Sequence, residues 1–101
     1  MTETNLTVTV AKDLEDLIPT FMTNRAKEVE TLRGAVAASD FEQLKQLGHR
    51  MKGVGRSYGF ITVSDLGKRI EDAAAKADGG TIAAAIREYA DYLSKVKVVY
   101  E

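Results

Sequence analysis

Apolar residues recur at 41, 44, 47, 51, 54 and 58, in steps of three and four. That rhythm marks one buried face of a helix. The same rhythm runs earlier through Leu14, Leu17, Ile18, Phe21, Arg25, Val29, Leu32 and Val36, with Arg25 as the one polar break. It returns in Val63, Leu66, Ile70, Ala73 or Ala74, and Ala77, and again in Ile82, Ile86, Tyr89, Leu93, Val96 and Tyr100. The pattern predicts helices over approximately 12–38, 40–58, 63–78 and 80–100. Pro19 interrupts the first, because a proline inside a helix kinks it at a cost of about 3 kcal/mol. A short first turn before Pro19 and a long helix to about Ala38 follow. Residues 1–11 read differently. Leu6, Val8 and Val10 alternate with Thr7 and Thr9, which is strand-like. With no second strand in view, the expectation is an extended arm laying its apolar residues along the bundle, or a disordered terminus for the first five residues.

The links between these segments carry their own signals. Ser39 with Glu42, or Asp40 with Gln43, can form a capping box before the second helix. Gly59 can take the left-handed conformation that ends it. Thr62-Val63-Ser64-Asp65 reads as another capping box, and Asp78-Gly79-Gly80 as a turn. Short links favour an up-down-up-down arrangement. The expected fold is therefore all-α: an up-down-up-down four-helix bundle over 12–101, with an extended N-terminal arm over 1–11 and a short first helical turn.

On a helical wheel at about 100° per residue, with Leu44 at zero, the stripe of the second helix centres near roughly 330° and His49 lies near about 140°. A lone histidine is more often a satisfied core residue, but this one points away from the buried face. Lys45, Gln46, Lys52, Gly53 and Arg56 fall within roughly 60° of it. Lys45, Lys52 and Gly53 stand four before, three after and four after His49, the spacings at which helical side chains meet. Gly48 and Gly55 lie toward the buried side, as places where a neighbouring helix comes close. Gly53 faces outward. A glycine in a helix costs about 1 kcal/mol relative to alanine. At an exposed position one turn from a histidine, it suggests that something bulky must approach.

His49-Arg50-Met51-Lys52-Gly53, followed by Tyr58-Gly59-Phe60 and Val63, resembles the signature of histidine phosphotransfer (HPt) domains. The family pattern is His, any residue, an apolar residue, Lys, Gly, a second Gly six residues on and an apolar position four beyond that. This chain supplies His49, Met51, Lys52, Gly53, Gly59 and Val63. Val54 departs from it, since the family often has serine there. The family also commonly places a glutamine facing the histidine from the next helix; the nearest residues here are Lys68 and Glu71, and the sequence leaves both open. The resemblance covers nearly the whole chain and implies a phosphorelay intermediate. In it, His49 accepts a phosphoryl group from the aspartyl-phosphate of a receiver domain and passes it to another. Lys52 stabilises phosphoryl charge, while Lys45, Gln46, Gly53, Arg56 and Lys68 meet the receiver. The implied partners are response-regulator receiver domains and a hybrid histidine kinase. Any magnesium belongs to the receiver, and the chain itself needs no cofactor.

The chemistry of the residues agrees with that reading. A neutral imidazole is a good nucleophile, and phosphoryl transfer asks the protein chiefly for positioning and charge stabilisation. A charge pair about 4 Å apart is worth roughly 1 kcal/mol in water and about 4 at an effective dielectric of 20, so a docking partner that excludes water strengthens the role of Lys52. No phosphate-binding glycine loop or kinase motif set is present, and the phosphoryl group must come from another protein. One histidine and no cysteine cannot build a typical zinc cage or a disulfide. A net charge of -1 gives no general attraction to nucleic acid or membrane. The expectation is a monomer, and a cytoplasmic location, because residues 1–10 lack the build of a signal peptide, no apolar run suits a membrane span and the absence of cysteine suits a reducing compartment. Other readings are the acceptor domain of a larger histidine kinase, and a helical adaptor or nucleic-acid binder using Lys45, Arg50, Lys52, Arg56, Lys68 and Arg69. Met1 and an apparently whole bundle favour a free-standing protein over the former; the latter would not need the histidine.

Overall fold

Pro19 sets where the first long helix begins. Its ring fixes φ and removes a donor, which suits the opening turn of a helix. The computed structural model describes residues 6–101. It has a 3-10 helix over Lys12–Leu17, then α1 over Ile18–Ala37 with Pro19 in its first turn. α2 spans Phe41–Tyr58, α3 Ile61–Ala75 and α4 Gly79–Lys95. The Asp40 carboxylate caps α2 by accepting from the Gln43 N–H at 3.2 Å. Gly59 ends α2 with φ at 84°, a left-handed conformation in which glycine carries no Cβ penalty. Asp78 caps α4 through the Thr81 N–H and hydroxyl, at 3.1 and 2.7 Å. Each helix packs on the next and α4 packs back on α1, closing a four-helix bundle.

Both ends of the chain correct the reading from sequence. Thr7–Val10 is a strand, β1, and its partner is Lys97–Tyr100, β2, paired in parallel with Thr7 opposite Lys97 and Val10 opposite Tyr100. The arm is thus half of a two-stranded sheet, and α4 stops at Lys95 rather than near 100. The run Val96-Lys97-Val98-Val99-Tyr100 is rich in β-branched residues, which favour strand. Val96, Val98 and Tyr100 turn toward the core, while Lys97, Val99 and Glu101 are exposed. The suggestion of a disordered terminus for residues 1–5 lies outside the described residues. The third helix also begins earlier than expected. Its N-cap is Phe60, without a side-chain cap, so the capping box at Thr62–Asp65 does not form. Ser64 instead donates its hydroxyl to the Lys52 carbonyl at 2.9 Å, tying α3 to α2. Gly79 and Gly80, expected in the turn, open α4.

The core is lined by Leu32, Leu44, Met51, Val63, Ile70 and Ile82, all fully buried. Arg25, the polar break, is buried too. Its Nε donates to Glu28 Oε1 at 3.0 Å and its guanidinium lies 4.9 Å from the centre of the Phe21 ring. The Tyr89 hydroxyl donates to the same Glu28 oxygen at 2.7 Å. Burial, reinforced by the Glu28 charge, pushes the Tyr89 phenol well above its ordinary value, so it stays a donor. The cluster satisfies three polar groups that would each be expensive to bury alone.

At three glycines α2 and α3 meet backbone to backbone. A Cβ at Gly67 would fall 2.6 Å from the Gly48 carbonyl oxygen, the Lys52 nitrogen and the Met51 Cβ. One at Gly48 would fall 2.7 Å from the Glu71 nitrogen and the Gly67 oxygen, and one at Gly55 2.6 Å from the Ser64 nitrogen. Most of these obstacles are backbone and cannot swing aside. Gly67→Ala should therefore destabilise the bundle by about 1–3 kcal/mol despite the better helix propensity of alanine. Gly34, with nothing within 4 Å of where its Cβ would stand, is the control. Gly34→Ala should hold or raise stability by up to about 1 kcal/mol. Urea unfolding of the two variants beside the wild type checks both; equal stabilities would show that the helices can part at no cost.

Candidate functional site

His49 stands in the middle of α2 with its side chain 70% exposed. Its Nδ1 lies 3.0 Å from Glu71 Oε2, and the other Glu71 oxygen accepts from Lys52 Nζ at 3.1 Å. One carboxylate from α3 therefore joins two residues that are three apart on α2. The glycine contact makes this possible. Gly48 and Gly67 bring the two backbones together next to Glu71, so its short side chain reaches across. Between the two residues the sequence left open, Glu71 faces the histidine. Lys68 points to Asp72 instead, at 2.9 Å.

The electrostatics of Glu71 follow from this position. Burial pushes its carboxyl up, but hydrogen bonds from Lys52 and His49, and then their charges, outweigh burial and hold it below the usual carboxylate value. It is therefore ionised near neutral pH and can only accept hydrogen bonds. Nδ1 of a neutral His49 ring must then carry the proton, which leaves the Nε2 lone pair free. The arrangement can present Nε2 to an incoming electrophile with an ammonium group one helical turn away.

The remaining predicted residues surround this centre unequally. Gly53 is exposed, and nothing lies within 4 Å of where its Cβ would stand. Lys45 and Arg56 are exposed on the same helix. Gln46 is exposed and donates to Glu42 Oε2 at 3.4 Å, a long bond that a partner can displace. The six-cation face considered for an adaptor or nucleic-acid binder is broken up. Lys52, Lys68 and Arg69 are each paired with a carboxylate, and Arg50 lines a groove of about 320 Å³ against Asn24, Lys27 and Glu28 of α1. Among the described residues no helix is long and apolar enough to cross a membrane, and no cluster of three or more His, Cys, Asp or Glu could hold a metal ion.

Comparison with known families gives one clear result: the family model described as Hpt domain matches residues 10–97, a span that takes in all four helices. No curated protein and no solved structure matches the chain.

The depressed Glu71 carboxyl has a measurable consequence. A carboxyl held below its ordinary value stabilises the fold above the unfolded value, here 4.5, and that contribution is lost as pH falls through the folded value. Glu71→Gln should thus be less stable than the wild type at neutral pH, and the difference should shrink once the pH is below 4.5. Urea unfolding at neutral and acid pH reads the difference. A gap that stayed constant would mean that the Glu71 charge contributes nothing.

Proposed function

The chain belongs to the Hpt domain family, and on that footing we propose that His49 is its phosphoacceptor, taking the group from the aspartyl-phosphate of one receiver domain and passing it to another. Hpt domains carry out histidine phosphotransfer in phosphorelays and work with receiver domains. The observation that carries the proposal is the exposed imidazole held through Nδ1 by Glu71, which leaves Nε2 outward. Nε2 attacks phosphorus in line, the bond from phosphorus to the aspartyl oxygen breaks, and the aspartate leaves as a carboxylate. Nδ1 keeps its proton and its bond to Glu71 throughout. Lys52 neutralises charge on the phosphoryl oxygens, and its attraction grows when the docked receiver displaces water. Transfer to the next receiver is the same displacement in reverse. Lys45 and Arg56 add screened attraction, Gln46 and Lys68 supply polar contacts at the rim, and Gly53 clears room for the receiver's active-site loop.

His49→Gln tests the acceptor. The variant should keep the wild-type helix content and nearly the wild-type melting temperature, since the ring is largely exposed and Lys52 still holds Glu71, and should take up no phosphoryl group from a panel of phosphorylated receivers. Phosphohistidine is acid-labile and base-stable, so the lability of the label identifies it. Acid-labile phosphate on the variant would remove His49 from the mechanism.

Gly53 separates a docking surface from a bare reactive histidine. With open space around it, Gly53→Leu should leave the bundle folded. Transfer from a receiver should fall by roughly tenfold or more, equivalent to about 1.4 kcal/mol of lost transition-state stabilisation. Phosphorylation of His49 by phosphoramidate, which needs no docking surface, should continue. Receiver transfer at the wild-type rate would show that the glycine is not there for clearance.

A further inference from the structure

The sheet at the chain's ends leaves one edge unused. The Lys97 N–H donates to the Leu6 carbonyl and the Glu101 N–H to the Val10 carbonyl. In a parallel ladder this register turns the N–H and C=O groups of Val98 and Tyr100 away from β1. The far side of β1 borders the α2–α3 corner at Gly59, Ile61 and Thr62. Among the described residues β2 pairs with no strand other than β1, which is also the one element in extended contact with it. An open strand edge is a template for another strand, and proteins blunt such edges with short strands, charged side chains, prolines or bulges. β2 is short and carries Lys97, which limits what it can pair with, but it has no proline and its register with β1 has no bulge. Its exposed face reads Lys97, Val99, Glu101: a cation and an anion spaced evenly about a valine that is 45% exposed. Neither charge is in an ion pair among the described residues.

We propose that β2 pairs with β2 of a second copy of this chain, antiparallel and centred on Val99, to make a weak four-stranded dimer. The self-complementary charges are what select this partner. A two-fold axis through Val99 sets Val98 opposite Tyr100 of the second copy, as the pair that exchanges N–H and C=O. Lys97 then faces Glu101 of the second copy, and Val99 faces Val99, at the closer, non-hydrogen-bonded positions where side chains meet. Two lysines at 97 and 101 would repel the copy; a lysine and a glutamate attract it twice. Strands this short cover far less than the roughly 1,200 Å² of a stable interface, so the dimer forms at high concentration. This departs from the monomer expected from sequence. It leaves the His49 site open, because His49 lies ten residues before Gly59 on α2, about 15 Å along the axis from the corner beside the sheet.

Sedimentation equilibrium of the full chain, from about 10 µM to about 1 mM, tests the proposal. The average mass of the wild type should rise from 11.0 kDa toward twice that value. Lys97→Glu alone and Glu101→Lys alone should each remain monomeric, since each places like charges across the axis. An equimolar mixture of the two variants should regain association, because each charge then faces its opposite. Phosphoramidate labelling of His49 should be the same in all samples, so loss of association is read apart from loss of phosphoryl uptake. A wild type that stays at 11.0 kDa throughout overturns the proposal. So does a wild-type dimer that Lys97→Glu leaves intact, or a mixture that fails to associate where the wild type does.

Discussion

The contact on which the site depends is backbone against backbone. Gly48, Gly55 and Gly67 let α2 and α3 approach until carbonyl and amide groups of one helix lie where side chains of the other would normally stand. Their closeness fixes the relative register of the two helices to within a fraction of a turn. It does so more strictly than a layer of leucines, which can repack around a shifted neighbour. Ser64 adds a hydrogen bond to the Lys52 carbonyl at the same seam. A carboxylate is short, and the bond from Glu71 to His49 tolerates little error. The glycines therefore act on the His49–Glu71 contact indirectly, by setting how far Glu71 has to reach.

Stability and display are divided between the two sides of α2. Leu44, Leu47 and Met51 are buried against the other helices, and the wet edge carries His49, Gly53, Lys45 and Arg56. Side chains on that edge contribute little to folding, because exposed charges are worth a fraction of a kcal/mol each. They are free to suit a partner. Glu71 is the exception, since it belongs to both sides: its side chain is 20% exposed, is held by two hydrogen bonds, and touches the His49 ring.

Much of this was legible because it is local. The stripe of α2, a capping residue at Ser39 or Asp40, the left-handed Gly59 and the outward direction of His49 all follow from residues within a few positions of one another. What was not legible depends on distant parts of the chain. The choice between Lys68 and Glu71 turns on how α3 is rotated against α2, and periodicity within α3 cannot supply that rotation. Arg25 reads as a flaw in a stripe until Tyr89, 61 residues from Glu28, is seen to share its partner. The strand at Lys97–Tyr100 was hidden by a coincidence of spacing. Leu93, Val96 and Tyr100 continue a helical stripe, while Val96, Val98 and Tyr100 alternate as a strand. Pairing with β1 decides between them, and that pairing joins opposite ends of the chain.

Lys52 has two claims on it under the proposed mechanism. At rest its ammonium belongs to Glu71, at 3.1 Å. A phosphoryl group on Nε2 brings roughly two negative charges against the single charge of the carboxylate, and so draws the ammonium more strongly. Lysine suits the exchange, as a compact charge on a flexible stem that can turn from one acceptor to the other. Glu71 is not stranded by the loss, because its second oxygen still accepts from Nδ1 and its side chain retains some access to water. The ring keeps its tautomer and its direction in both states. Lys52 alone has to move, and its movement leaves the α2–α3 seam as it was.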